Sequence, residues 1–399
     1  MQIIWVLVVL LVMLVTPSSM SKKPSEVLWR VSPSFLSLVR NQVQELPVKP
    51  LVELIVCPEG PPVCQFSKIQ EAIEAAPATP PITDLQSPLE IPLIRIAPGI
   101  YEERLTILKN VWLQGASQES VILRRPSSSQ DSVTAFVAGS YYTAVAFQNL
   151  TFEGEVQVVG SVRGAFFNNR FQADSQGNGG MQLKGELALD IISNLFLDVP
   201  IVLYPVAPLF EHHNSVVIFA NRFIGSEQKV AGINIRQSSR ISLNSNQIRG
   251  FSVGVSLMGY NDGIELVANT LEDNIVGIGS CCGNGSVEIK MNRLQRHKDA
   301  ALQLSRGSLG GEYLITENEI INNAKGIEWG SLAHLWIVGN SITQNEIGLQ
   351  LWPFNPLQDI AKSLENLKEC RNNKISENKT DYVIVGILPD LLRQRCEGH

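Results

Sequence analysis

Residues 313–352 read YLITENEIINNAKGIEWGSLAHLWIVGNSITQNEIGLQLW, two near-copies of one unit. Each copy turns on an Asn, Asn318 and then Asn340, with a bulky apolar residue two positions later, Ile320 and Ile342. Three and five residues before each Asn the chain is apolar: Ile315 and Tyr313, then Ile337 and Leu335. That is period-two alternation, the pattern of a strand with one buried face. Five residues after the Asn comes a second turn-type residue, Asn323 or Asn345, and eight after it a glycine, Gly326 or Gly348. A further alternating strand begins there, Gly-Ile-Glu-Trp or Gly-Leu-Gln-Leu.

The unit extends in both directions. Its anchors are Asn149, Asn169, Asn194, Asn221, Asn246, Asn269, Asn292, Asn318, Asn340 and Asn373, at intervals of 20 to 33 residues. At Asn149 the apolar residue is displaced by one. Asn274, His297 and Asn378 extend the second turn position, and Gly254 and Gly277 the glycine. A unit of about 25 residues with short strands and no helix cannot bury its apolar face alone. Coiling and stacking solves this, because each strand then pairs in parallel with its counterpart one coil on. About a dozen coils are expected. Asn suits such a turn because it tolerates left-handed backbone and hydrogen-bonds locally. Stacked Asn residues can also ladder their amides, so none of the anchors is read as catalytic. Asn149 and Asn378 match glycosylation sequons but are discounted for that reason.

The pattern N-x-[ILF]-x-x-[NH]-x-x-G-[IVL] resembles the right-handed parallel β-helix repeat of pectin-lyase-fold proteins. FSKIQEAIEAAPATPP at 66–81, followed by IRIAPGIYEERLTILKNVWLQGASQESVIL at 94–123, is similar to the opening of pectinesterase-like β-helix proteins. There a short helix caps the solenoid and a PGIYEE-type coil follows. Here Phe66, Ile69, Ile73 and Ala76 fall at helical spacing, and Pro77 and Pro80 stop the helix. The resemblance covers roughly residues 54–350. It implies an all-β, single-stranded right-handed parallel β-helix with a short N-terminal capping helix and a C-terminal helical insert. It implies less about activity, since many chemistries share the scaffold. The catalytic segments of pectinesterases, polygalacturonases and pectate lyases are missing, and residues 98–103 (PGIYEE) read as a structural coil.

The 399 residues are 44% apolar and 18% charged, with 38 acidic against 32 basic residues. Such a chain has material for a core and no basic footprint for nucleic acid. Residues 3–15 form one apolar run, too short for an ordinary membrane span of ~20 residues. Thr16, Pro17 and Ser18 follow it, as after the h-region of a secretory signal. No Lys or Arg precedes the run, and Lys22 and Lys23 follow it, so an uncleaved signal anchor competes. The organisation read from the chain is a signal peptide or anchor over 1–21, an N-terminal extension over 22–53 and the solenoid over 54–399. The last includes a capping helix over 66–76 and an insert and tail over 353–399. Six cysteines fit an oxidising compartment outside the cytoplasm, periplasm or cell surface. Cys57 and Cys64 bracket one Pro-rich loop, and Cys370 and Cys396 bracket the C-terminal segment. Cys281 and Cys282 read as a vicinal disulfide or two free thiols.

Outward residues of successive coils stack, so columns of carboxylates and aromatics are the features to seek. Glu265 and Glu288 both lie four residues before their anchors and should be outward neighbours. Ser242 precedes them in that column; Leu314 and Trp336 follow. Trp336 and Trp352 are candidate platforms for sugar rings, unless an insert over 356–370, with Ile360, Leu364 and Leu367 on one face, covers them. Tyr260, Asn261 and Asp262 mark a turn that is either a sugar-binding loop or a plain β-turn. Arg296, His297, Lys298 and Asp299 form a charged turn, and Glu211, His212 and His213 a loop cluster. No metal spacing is found and no cofactor is expected; Ca²⁺ on the carboxylate column finds no further support. The reading is a monomeric secreted or cell-surface β-helix protein that binds polysaccharide through its outer face. A carbohydrate-active enzyme, lyase or esterase-like with a non-standard site, and a purely structural surface protein are the alternatives. The N-terminal segment is the only expected contact with a membrane.

Overall fold

The computed structural model describes residues 48–79, 89–126, 132–204, 215–226, 230–281, 285–304, 311–330, 333–352, 364–384 and 390–397. Two parallel sheets wind along its length, one of 12 strands and one of 23. The 12 strands of the smaller sheet are one per coil, so the expected dozen coils are present. The larger sheet supplies two walls. The first wall holds the strands that precede each Asn, such as Ser239–Asn244, Asp262–Val267, Ser286–Lys290, Glu312–Thr316 and His334–Val338. The second wall is the 12-stranded sheet, built mostly of three-residue strands such as Arg222–Ile224. The third wall holds the strands that follow the second turn, such as Val253–Met258, Ala300–Leu304, Lys325–Gly330 and Ile347–Trp352. The fold is the expected right-handed parallel β-helix.

Inward positions are apolar in every coil. Phe152, Phe171, Phe196 and Phe223 stack face to face, with successive centroids 5.2, 4.6 and 4.5 Å apart. Each fully buried Phe contributes about 1.5–3 kcal/mol of transfer free energy. Ile248, Leu271, Leu294, Ile320 and Ile342 continue the column in register.

The Asn anchors form a continuous buried ladder from Asn169 to Asn373. The side-chain oxygen of Asn269 accepts the backbone N–H of Asn246 and its Nδ2–H, both at 2.9 Å. Its own Nδ2 donates to the Leu243 carbonyl at 2.9 Å and to Asn292 Oδ1 at 3.0 Å. These bonds run between coils. The local hydrogen bonding expected of the anchors is therefore a minor part of their role, and the left-handed backbone is not theirs. It belongs to the preceding residue: Asn168, Ser193, Ala220, Ser245, Ala268, Met291, Glu317 and Asn372 have φ between 52° and 58°. The anchor must keep its amide pointing along the solenoid axis, so its neighbour makes the bend. Asn149 is likewise such a bend residue (φ 58°), and Leu150 fills the ladder slot, its N–H donating to Asn169 Oδ1 at 3.1 Å. That is why the apolar residue there is displaced by one.

A non-glycine residue in left-handed backbone costs about 1–2 kcal/mol. Ala268 is exposed and has no side chain to lose beyond a methyl. Ala268→Gly is expected to stabilise the protein by about 0.5–1 kcal/mol after the entropy of glycine in the unfolded chain is subtracted. Ala268→Val should destabilise it by at least as much, and urea unfolding of the pair checks both.

The capping helix is present as α1 (Ile69–Ala75), with Ile69, Ala72 and Ile73 buried. Glu103, in the PGIYEE coil, accepts the Ile69 and Gln70 N–H groups at 2.8 and 2.9 Å and so caps it from another coil. The strand Val48–Val56 begins before the boundary placed at residue 54. Cys57 pairs with Cys64, and Cys370 with Cys396, as the brackets implied. Cys281 is disulfide-bonded too, while Cys282 lies outside the described residues. The second bridge ties α2 (Asp390–Glu397) to the strand Leu367–Arg371. That strand corrects the expected helical insert only at its end, 367–370. It closes the first wall, with Leu367 and Cys370 inward opposite Leu335 and Ile337 across a one-residue bulge. Only residues 364–366 are helical there, and 353–363 lie outside the described residues. Among the described residues no helix is long and apolar enough to cross a membrane.

Candidate functional site

On the first wall the predicted column is real. Ser242, Glu265, Glu288, Leu314, Trp336 and Glu369 occupy successive outward registers. Burial raises the Glu265 carboxyl above its ordinary range, the adjacent Glu288 raises it further, and the Ser242 hydroxyl partly counters both. Trp336 is half-buried in this column.

Trp352 is elsewhere. It ends a strand of the third wall and is 45% exposed. The two tryptophans therefore do not share one platform. Two residues before Trp352 on the same strand and the same outward side is Gln350, only 5% exposed. Its neighbour one coil back is Glu328, fully buried, and behind that lies Gln303. The outward column reaches back through Gly279, Ser256, Asn234, Val202 and Gln182. Successive positions of this column lie about 4.8 Å apart and are mostly polar, interrupted by Val202 and Gly279. A second outward row beside it carries exposed Lys184, Arg236 and Met258, with the Arg236 guanidinium 5.6 Å over the Tyr204 ring.

A buried carboxylate must be paired. Glu328 Oε2 accepts from Lys325 Nζ at 3.3 Å and from Gln303 Nε2 at 3.2 Å. Asp299 completes the cluster: its Oδ1 accepts from Lys325 Nζ at 2.7 Å and its Oδ2 from Gln303 Nε2 at 3.3 Å. Gln350 Oε1, by contrast, is a buried acceptor with no donor. A lone buried acceptor costs about 1–3 kcal/mol. It lies beside the Glu328 carboxylate, which is fully buried and already partnered.

The other sequence candidates separate. Asp262 Oδ1 accepts the Ser286 N–H at 2.9 Å and the Ser286 hydroxyl at 3.1 Å, and Asn261 Oδ1 accepts the Ser238 N–H at 3.0 Å. Those two residues stitch coils together at a corner, which leaves Tyr260, 62% exposed, as the side chain of that turn most open to solvent. In the 296–299 turn Arg296 and Lys298 are exposed, as a charged turn implies, but His297 is not. His297 is buried in a second ladder between Asn274 and Asn323, and Arg296 Nη2 pairs with Glu272 and Asp273, both at 2.8 Å. Residues 211–213 lie outside the described residues.

Gln303, Lys325, Glu328 and Gln350 were not singled out from the sequence. The signal for Glu328 and Gln350 was present in the third letters of Gly-Ile-Glu-Trp and Gly-Leu-Gln-Leu, which alternation places outward.

Among the described residues no group of three or more His, Cys, Asp or Glu is placed to hold a metal ion. His297 serves its ladder, Met181 is in the core, and Met258 neighbours a disulfide-bonded cysteine, Cys281.

No curated protein matches the chain in sequence. Among solved structures, it is similar to the periplasmic alginate epimerase AlgG (14% identity, TM-score 0.43, 67% of this chain and 66% of that one). The chain thus spans just under two thirds of that protein's resolved length. It is also similar to the Azotobacter vinelandii mannuronan C-5 epimerase AlgE6 A-module (13%, TM-score 0.38, 79% and 87%). A third likeness is to pectin methylesterase from carrot (14%, TM-score 0.28, 79% and 94%). Residues 201–381, the part of the solenoid that carries the third-wall cluster, match the model of the family described as NosD, periplasmic copper-binding protein.

Proposed function

We propose that this chain is an extracytoplasmic β-helix protein that binds a polysaccharide along its third wall, with Trp352, Gln350 and Glu328 at the principal subsite. The observation that carries this reading is the outward row of polar side chains on the third wall that ends beside Trp352, 45% exposed, next to the unsatisfied Gln350 acceptor. An aromatic face stacks on the apolar face of a sugar ring, and amides and carboxylates take its hydroxyls. Repetition of polar side chains at coil spacing suits a repeating polymer. The location is supported by the signal-like run at 3–15, by two stapling disulfides and by the match to a periplasmic family model.

A glycan array followed by affinity measurement tests the proposal. Trp352→Ala and Gln350→Ala should each weaken binding about tenfold, a loss of ~1.4 kcal/mol. Trp336→Ala should leave it unchanged. The reverse pattern would move the site to the Glu265–Glu288 column of the first wall, and no binding to any glycan would sink the reading.

A further inference from the structure

The second ladder contains one residue that is not an amide or a capping hydrophobe. From Phe251 onward the backbone N–H of each rung donates to the side chain one coil on: to Asn274 Oδ1 at 2.9 Å, His297 Nδ1 at 3.3 Å, Asn323 Oδ1 at 2.9 Å and Asn345 Oδ1 at 2.9 Å. Asn274, Asn323 and Asn345 also donate through Nδ2 to a carbonyl of the preceding coil, each at 3.1 Å. His297 has no such second bond, and its Nε2 is buried without a hydrogen-bond partner. The ring fits because position 277 is glycine: a Cβ there would lie 2.7 Å from Nε2 and 2.5 Å from the Ala301 carbonyl.

We propose that His297 is an acid-sensitive keystone whose protonation breaks the second ladder and releases the Asp299 clamp of the third-wall site. The inference rests on that site's being the binding site proposed above. Nδ1 accepts, so the neutral ring carries its proton on Nε2. A second proton on Nδ1 would set two donors face to face and orphan the buried Asn274 amide. The turn that follows is held by the ladder: Lys298 N–H donates to the Asn274 carbonyl at 3.0 Å, Asp299 N–H to Ile275 at 2.8 Å, and Lys325 N–H to Asp299 at 2.8 Å. Loss of these contacts moves Asp299, and with it the carboxylate that holds Lys325 and Gln303.

The charged groups around the ring are Asp273 in the preceding coil, Arg296, Lys298 and Asp299 in its own turn, and Lys325 in the coil after. Burial pushes the imidazole down to about 4, against the backbone of Asn274, the Asp273 charge and the backbone of Leu271, which act to raise it, and with Arg296, which acts to lower it. The folded-state value lies below the ordinary 6.5, so the ladder is fully stabilising above about pH 6.5 and weakens as pH falls towards 4. Opening should rise about tenfold per pH unit in that window, roughly 100-fold by pH 4.5.

Hydrogen–deuterium exchange of the full chain at pH 7 and pH 4.5, corrected for the intrinsic rate, reads this directly. Acidification should lower the protection of the Asn274, Asp299 and Lys325 amides on the order of 100-fold in the wild type. His297→Asn, which restores the amide rung, should keep them protected at both pH values. Unchanged protection in the wild type, or an equal loss in His297→Asn, overturns the proposal. Failure of the polysaccharide reading would show separately, as absent binding at pH 7, where the keystone is closed in every case.

Discussion

Asn269→Ala is expected to destabilise the protein by about 3–5 kcal/mol, an unusually large loss for removal of one neutral side chain. The substitution deletes four hydrogen bonds at once. It leaves the buried Asn246 backbone N–H and one Asn246 Nδ2–H without their acceptor, and each orphan costs about 1–3 kcal/mol. Water cannot replace them, because Asn246 is fully buried and Asn269 is only 1% exposed. Stability in a solenoid is a sum of coil and interface terms. The damage therefore stays at one interface, and urea unfolding should broaden or split as the two halves uncouple. Asn149→Ala is the control. That residue sits outside the ladder and accepts only from Asn168 Nδ2, at 2.7 Å, so its loss should cost ~1 kcal/mol or less. Equal effects of the two substitutions would contradict the ladder account.

Gly185→Ala is expected to cost about 4 kcal/mol or more, or to abolish folding. The first and third walls meet at a corner that the strands Val133–Gln148 and Glu155–Phe167 cross without a break. Gly139, Gly160 and Gly185 stack there. A Cβ on Gly185 would lie 2.0 Å from the Gly160 carbonyl oxygen, and one on Gly160 2.1 Å from that of Gly139. Backbone cannot yield as a side chain would, so the coils would have to part. The φ of Gly185 is 137°, a further strain for any L-residue. Gly177→Ala isolates the second effect from the first. Its φ is 82° and nothing lies within 4 Å of the added Cβ, so it should cost only about 1–2 kcal/mol. Thermal unfolding of the two variants separates crowding from backbone strain.

The repeat made most of the scaffold legible. Period-two alternation before each Asn fixed which side chains point inward, and the same counting correctly paired Glu265 with Glu288 across coils. Cysteine positions relative to the loops they bracket suggested, without deciding, the Cys57–Cys64 and Cys370–Cys396 bridges that the structure forms. What counting missed has a physical reason in each case. The left-handed bends fall on residues as unlike turn formers as Met291 and Glu317, because ladder geometry overrides propensity. The Asp299 cluster arises from one extra residue. Val276, two after Asn274, pairs with Ala300, three after His297, and the surplus residue turns Asp299 towards Lys325. A single-residue bulge of that kind leaves no trace in a repeat whose spacing already varies. Trp336 and Trp352 looked alike because each ends or follows an alternating run, but a 12-stranded wall intervenes between their strands along the chain.

The claim that the third wall is a polymer-binding face is tested most directly by titration calorimetry with oligosaccharides of increasing length, drawn from whichever polymer the glycan array identifies. A wall of subsites repeated every coil predicts affinity that rises stepwise with each added sugar until the column from Gln182 to Trp352 is filled, with Trp352→Ala weakening every length. Affinity that is already maximal for a monosaccharide, or binding that Trp352→Ala does not alter, would contradict it.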